Sequence, residues 1–284
     1  MESVLVLIAA PGSGVISDAL ASRLNDVRWL AHGEALECDA SQEAVVRKLC
    51  AGMPVDINVV PKANRRKRIL LADMDSTMIQ QECIDELGVV AGVGDYIKDI
   101  TARSMRGELD FEGALKERVG LLKGLDESVI AQLIRERITF MPGGATLLAT
   151  MKANGGYAAL VSGGFTAFTA HVHDTLGFHE HRANTLLIEN GKLTGEVALP
   201  ILGKDAKVEA LNRIVAELHA TPDDVLAVGD GANDIPMLQA AGMGVALHAK
   251  PKVQEQARFV INHGDLTALL YLQGYEKAEF SAAT

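Results

Sequence analysis

Short apolar runs alternate with helix-like segments through the first part of the chain. Val4 to Ala9 reads as a strand, a helix follows from about Gly14 to Leu24, and Val27 to Cys38 is again strand-like. A second helix over Gln42 to Leu49 leads to Asp56-Ile57-Asn58-Val59-Val60. Alternation over so short a span predicts a small α+β module with an open sheet. The run Pro61 to Arg68, with cations at Lys62, Arg65, Arg66, Lys67 and Arg68, is the sharpest compositional break. It reads as a solvated linker feeding the next strand, and sets an expected boundary between domains 1–66 and 67–284.

From Ile69 the apolar runs become continuous and each ends in a polar, Gly-containing turn: Ile69 to Ala72, Tyr157 to Val161, and Val225 to Val228. Such runs suit strands buried on both faces of a parallel sheet. Helices are expected between them: one from near Pro142 to a stop at Asn154-Gly155, one over about Ala206 to Leu218, and one after Gly231. In an open sheet of this class, ligands bind beyond the carboxyl ends of the strands. Between about Ile79 and Phe140 no strand run occurs, and Val119, Leu122, Ile130, Leu133 and Ile134 recur at helical spacing. This predicts a helical insertion over the strand ends. A second insertion, Ala183 to Leu199, has the pattern of a hairpin turning at Asn190-Gly191.

The 284 residues are 48% hydrophobic, enough for a sizeable core. Asp plus Glu outnumber Lys plus Arg by 37 to 27, for a formal charge of -10, and aromatics make up only 4%. Neither a polyanion-binding surface nor a base-stacking platform is expected, so nucleic acid is excluded as a partner. Cys38, Cys50 and Cys83 lack CxxC spacing, which argues against disulfides and thiolate metal sites and for a reducing cytoplasm. The apolar stretch SVLVLIAA falls far short of the ~20 residues a membrane span needs and reads as a strand.

Chemistry concentrates at the predicted strand ends. In Asp73-Met74-Asp75-Ser76-Thr77 the two carboxylates share a face of extended chain and can aim at one point. Like charges this close push their pKa values apart, leaving one group an ionised nucleophile and the other a proton-holding acid. Taken alone, the pair is equally consistent with a solvated strand end. Asp230 and Asp234 in Gly229-Asp230-Gly231-Ala232-Asn233-Asp234 would be neighbours on a first helical turn if a helix starts at the glycine. Hard oxygen donors at two strand ends suit Mg²⁺, while helix capping is the plainer role for Asn233 or Asp234 taken singly. Ser162-Gly163-Gly164 could offer a hydroxyl and close backbone N–H groups to a phosphoryl oxygen. Lys207 stands at a helix start, with Lys204 competing for the same role. Jointly these are the parts of phosphoryl transfer.

In this order DMDST, VSGG, a following lysine and GDGAND resemble the four motifs of the haloacid dehalogenase superfamily of phosphatases, over Asp73 to about Pro251. Within it the chain is similar to enzymes acting on phosphoserine. The resemblance implies an α/β fold: a Rossmann-like parallel sheet with a helical cap inserted at about 80–140. It implies Mg²⁺-dependent hydrolysis of O-phospho-L-serine to serine and phosphate, the last step of serine biosynthesis. Asp73 would form an aspartyl-phosphate, and Asp75 would protonate the leaving oxygen and then activate water. Ser162, Gly163 and Lys207 would hold phosphoryl oxygens, with Asn233 near the phosphate. Asp73, the carbonyl of Asp75, Asp230 and Asp234 would serve the metal.

The same resemblance extends to the cap, where Glu82, Met105, Phe111 and Arg118 would contact substrate. Arg118 can grip a carboxylate and Glu82 an ammonium. Periodicity alone reads the two charges as surface and Met105 and Phe111 as core. The first 60 residues resemble an ACT-like (ferredoxin-like) module, implying homodimerisation and binding of serine or another amino acid. His171, His173, His179 and His181 crowd one segment, yet their apolar neighbours favour a helix packed on the sheet over a zinc site. The competing readings are a phosphatase or phosphotransferase for another small ester, and a non-catalytic amino-acid sensor.

Overall fold

The computed structural model describes residues 2–105 and 108–282. Two compact units emerge, one of residues 1–71, 141–158 and 211–284, the other of residues 72–140 and 159–210. In the first unit the chain opens with β1 (Ser3–Ala9), α1 (Asp18–Ala21), β2 (Arg28–Ala31), β3 (Ala35–Asp39), α2 (Glu43–Leu49) and β4 (Val55–Pro61). The four strands form an antiparallel sheet in the order β2-β3-β1-β4, with Leu5 of the central strand opposite Cys38 and Val59. This βαββαβ order is the α+β module expected. Its one-sided core joins Leu5, Leu7, Ile16, Leu20, Leu36 and Val46, as the period-2 strands and the helix stripes dictate.

Next come β5 (Ile69–Ala72) and four helices, α3 (Cys83–Val90), α4 (Gly94–Met105), α5 (Phe111–Gly120) and α6 (Ser128–Glu136). An isolated bridge between Ile79 and Phe140 closes the neck of this helical insertion. Then follow α7 (Gly144–Ala153), β6 (Tyr157–Phe165), α8 (Thr166–Leu176), β7 (Glu180–Asn184), β8 (Leu186–Glu189), β9 (Lys192–Val197) and α9 (Lys204–Glu217). The chain ends with β10 (Val225–Gly229), α10 (Ile235–Ala240), β11 (Met243–Leu247), α11 (Pro251–Gln254), β12 (Phe259–Ile261) and α12 (Ala268–Leu272). The main sheet has the order β12-β11-β10-β5-β6-β7, so the strand sequence reverses at β5 and β10, where such sheets place their ligands. β10, β11 and β12 pair in parallel, as do β6 and β7. The β8–β9 hairpin turns at Asn190 and Gly191, both in the left-handed region that a tight hairpin demands.

In the basic run Lys62, Arg66 and Arg68 are exposed, while Arg65 and Lys67 are partly buried. Arg65 is partly buried, donating from Nη1 to Glu37 at 2.5 Å, from Nε to the Leu272 carbonyl at 2.7 Å and from Nη2 to the Tyr271 carbonyl at 3.1 Å. The last carbonyls of α12 have no partner within their own helix, and the guanidinium supplies one. Further ties join the N-terminal sheet to the elements around β12. The Asp56 carboxylate accepts the backbone N–H groups of Asn262, His263 and Gly264 at 2.8 to 2.9 Å, and Asn58 exchanges two 3.0 Å bonds with the backbone of Val260. Glu34 accepts from the Tyr271 hydroxyl and from Lys277, both at 2.6 Å. Among the described residues, no helix is long and apolar enough to cross a membrane.

Candidate active site

All four residues of β5 are buried, so the strand delivers Asp73 to its carboxyl end at 5% exposure. Three residues on, Ser76 adopts a left-handed φ of 53°. The resulting turn sends the chain into the helical insertion, and the Ser76 hydroxyl donates to Glu82 Oε1 at 2.7 Å. A non-glycine residue in that region is uncommon and carries a small conformational cost.

Asp73 Oδ1 lies 2.7 Å from Lys207 Nζ, with both side chains almost fully enclosed. Of the two lysines open on sequence grounds, Lys204 is exposed at the start of α9 and Lys207 is buried in its first turn. A cation disfavoured by the helix dipole is held there by the carboxylate it meets. Asp75 Oδ1 accepts the N–H of Cys83, the first residue of α3, at 2.9 Å, and Oδ2 accepts a long 3.4 Å bond from Ser162 Oγ. Burial raises the Asp75 pKa, against the opposing pull of the Cys83 bond, Lys207 and Ser162. Asp73 is thus ion-paired, and burial biases Asp75 toward its protonated form.

Ser162, Gly163 and Gly164 lie within β6 and not in a turn after it, but the register with β7 breaks between Val161 and Phe165. Such a break re-aims backbone groups at a strand end. Ser162 Oγ accepts the Gly164 N–H at 2.8 Å. A Cβ on Gly164 would stand 2.5 Å from Asp75 Oδ2 and 3.1 Å from Ser162 Oγ, so glycine is what lets these groups approach. On Gly163 a Cβ would meet the Phe111 ring at 2.9 Å, which sets that cap residue directly over this end of β6.

Arg118 is half-buried on α5, donating from Nε to the Ala114 carbonyl at 3.2 Å and from Nη1 to Thr101 Oγ1 at 3.5 Å. Burial lowers its pKa while Asp85, Glu82 and Asp75 raise it, so the guanidinium shares a field with the carboxylate at position 82. Met105 closes α4, and its side chain lies outside the described residues.

In the GDGAND segment α10 begins at Ile235, so Asp230, Asn233 and Asp234 precede the helix instead of sharing its first turn. Pro236 near the start explains the delay, since proline suits a first turn and lacks a donor. Asp234 is fully buried and makes no side-chain cap bond; its Oδ2 accepts the Gly231 N–H at 2.9 Å. Capping is therefore not its role. Asp230 and Asp234 of the first unit and Asp73 of the second each carry a carboxylate oxygen that could serve a metal. An all-oxygen anionic set fits a hard divalent cation such as Mg²⁺. The histidines form no such group: His171 stacks on Phe140, His173 pairs with Asp174, and His181 bonds Thr169. The three cysteines are buried and free.

Residues 70–239 match the model of the haloacid dehalogenase-like hydrolase family, and the chain belongs to that family. A phosphoserine phosphatase of Haemophilus influenzae is 46% identical over 204 residues, covering 72% of this chain and 65% of the relative. The chain spans 57% to 65% of the length of this and three further curated relatives, each a phosphoserine phosphatase. Among solved structures, a family hydrolase from Salmonella enterica superposes with a TM-score of 0.83 at 31% identity, covering 95% of this chain and 97% of that one. A phospho-aspartyl intermediate analogue of phosphoserine phosphatase superposes with a TM-score of 0.68 at 39% identity, covering 72% and 98%.

Proposed function

We propose that the chain is a phosphoserine phosphatase, hydrolysing O-phospho-L-serine to serine and phosphate. The observation that carries the reading is the enclosed Asp73–Lys207 pair set beside an Asp75 whose pKa is raised. A carboxylate kept ionised by a buried cation is a nucleophile, and a neighbour that retains its proton is an acid for the leaving group.

In the first half-reaction an Asp73 oxygen forms a bond to phosphorus as the bond from phosphorus to the serine oxygen breaks, and Asp75 gives that oxygen its proton. In the second, Asp75 takes a proton from water as the water oxygen attacks phosphorus, freeing phosphate and restoring the Asp73 carboxylate. Ser162, the Gly163 backbone, Lys207 and Asn233 hold phosphoryl oxygens through both halves. Asp73, Asp230 and Asp234, with the Asp75 carbonyl, would hold Mg²⁺, which supplies positive charge against the phosphoryl dianion. Glu82 and Arg118 take the ammonium and carboxylate of the substrate, and Phe111 covers it. Binding energy at that remote end becomes orientation at the phosphorus.

Residues 1–66 are proposed as an ACT-like module for dimerisation and amino-acid binding, in a cytoplasmic homodimer serving serine synthesis. Phosphate release from a panel of phosphorylated amino acids and simple monoesters, with and without Mg²⁺, tests the activity. Preference for phosphoserine supports it, and release from none of them overturns it.

A further inference from the structure

The end of β6 and the loop before α9 meet on one side chain that carries no part of the mechanism above. Asn184, at the end of β7, is 2% exposed. Its Nδ2 donates to the Gly163 carbonyl at 2.9 Å and to the Leu202 carbonyl at 3.2 Å, and its Oδ1 accepts the Leu202 N–H at 2.8 Å. Both amide protons and the carbonyl oxygen are thus committed, a set that no carboxylate or hydroxyl can reproduce. Phe111 meets the same two segments, since a Cβ on Gly163 would stand 2.9 Å from its ring and one on Gly203 would stand 3.5 Å away. Immediately after Gly203 the chain enters α9, whose first turn carries Lys207 against Asp73.

We infer that Asn184 is a positioning residue for phosphoryl transfer, fixing the Ser162-Gly163 segment relative to the Lys207 helix so that their donors converge on one phosphoryl group. The inference rests on the phosphatase reading. It has a signature that loss of fold alone would not produce. A defect in holding the phosphoryl group must fall equally on every ester, whatever its leaving group, and must also weaken inhibition by inorganic phosphate. Asn184→Asp keeps the shape of the side chain but sets a carboxylate oxygen against two carbonyls. Asn184→Ala removes all three bonds.

The test measures kcat and KM of both variants in the full chain with Mg²⁺, on O-phosphoserine and on p-nitrophenyl phosphate, alongside inhibition by inorganic phosphate and thermal unfolding. Ångström-scale misplacement of catalytic groups can cost on the order of 100-fold in rate, and a drop of about that size in kcat/KM, equal on both esters, is expected. Folded variants with wild-type kcat/KM and wild-type phosphate inhibition overturn the inference. Should Asn184→Asp not fold, Asn184→Ala is the variant read. Hydrogen exchange at the Leu202 amide of the wild-type chain gives a second reading that needs no variant: slow exchange is expected, and exchange at the rate of an open loop overturns the tie. A wild-type chain that cleaves neither ester overturns the phosphatase reading itself, whereas an active wild type with unimpaired variants overturns only the role of Asn184.

Discussion

Replacing Lys207 with methionine isolates the physical core of the site, because it removes one charge of a buried pair and keeps most of the volume. At 2.7 Å and an effective dielectric of about 20, the gross attraction in the Asp73–Lys207 pair is about 6 kcal/mol, most of which offsets the desolvation of the two charges. Removing one partner leaves an enclosed carboxylate, and such losses run to about 3–5 kcal/mol. We expect Lys207→Met to lower the unfolding free energy by that amount in urea titrations with the metal chelated. We expect the double variant Asp73→Asn, Lys207→Met to recover most of the loss, since it leaves no unpaired charge. Equal midpoints for wild type and Lys207→Met, or a double variant no more stable than the single, would refute the claim that this pair holds the nucleophile ionised.

Other consequences follow from the same structure. Arg118→Ala should lower kcat/KM for O-phosphoserine far more than for p-nitrophenyl phosphate, which lacks a carboxylate; matched losses would show that the arginine is no substrate clamp. Thr77 is fully buried and its hydroxyl lacks a partner among the described residues, so Thr77→Val should raise stability by about 1 kcal/mol in denaturant titration, and a clear loss would show that the hydroxyl is satisfied. The pKa values of Glu34 and Glu37 are lowered: burial, the largest influence on each, pushes upward, but bonds from Lys277 and Tyr271 to Glu34 and from Arg28 and Arg65 to Glu37 outweigh it. A depressed carboxyl stabilises fully above its ordinary value, here 4.5, and that stability is lost as pH falls from there through the native value. The thermal stability of the wild type should therefore fall as pH drops below about 4.5, and a Glu34→Gln, Glu37→Gln variant should show a shallower acid limb. Identical slopes would disconnect these groups from acid stability.

Much of this arrangement was legible in the residues because the relevant constraints are local. β5 and β10 are buried throughout, so they appear as unbroken apolar runs, and their carboxyl ends mark where Asp73 and Asp230 must stand. The helical insertion announced itself through period, and the hairpin through Asn190-Gly191. What the chain order conceals is partnership at a distance. Nothing near Arg65 reveals that it caps the carbonyls of Tyr271 and Leu272, so a cationic run reads as solvated linker. Asn184 sits in a segment that looks like ordinary hairpin, and its role exists only through Gly163 and Leu202. Gly164 was visible as a glycine but not as a necessity, because the need arises from Asp75, far away in sequence. The late start of α10 reflects Pro236 and the Gly231–Asp234 bond, which together displace the helix that the glycine alone would open.

The central claim is that Asp73 becomes covalently phosphorylated during turnover. Rapid acid quenching of the enzyme with isotopically labelled O-phosphoserine and Mg²⁺, followed by peptide mass spectrometry, tests it directly. The account requires a transient, hydroxylamine-sensitive phosphoryl group on the peptide carrying Asp73, formed and lost at rates that support turnover and absent in Asp73→Asn. Steady release of phosphate by a protein that never carries that label, or carries it on another residue, would contradict it.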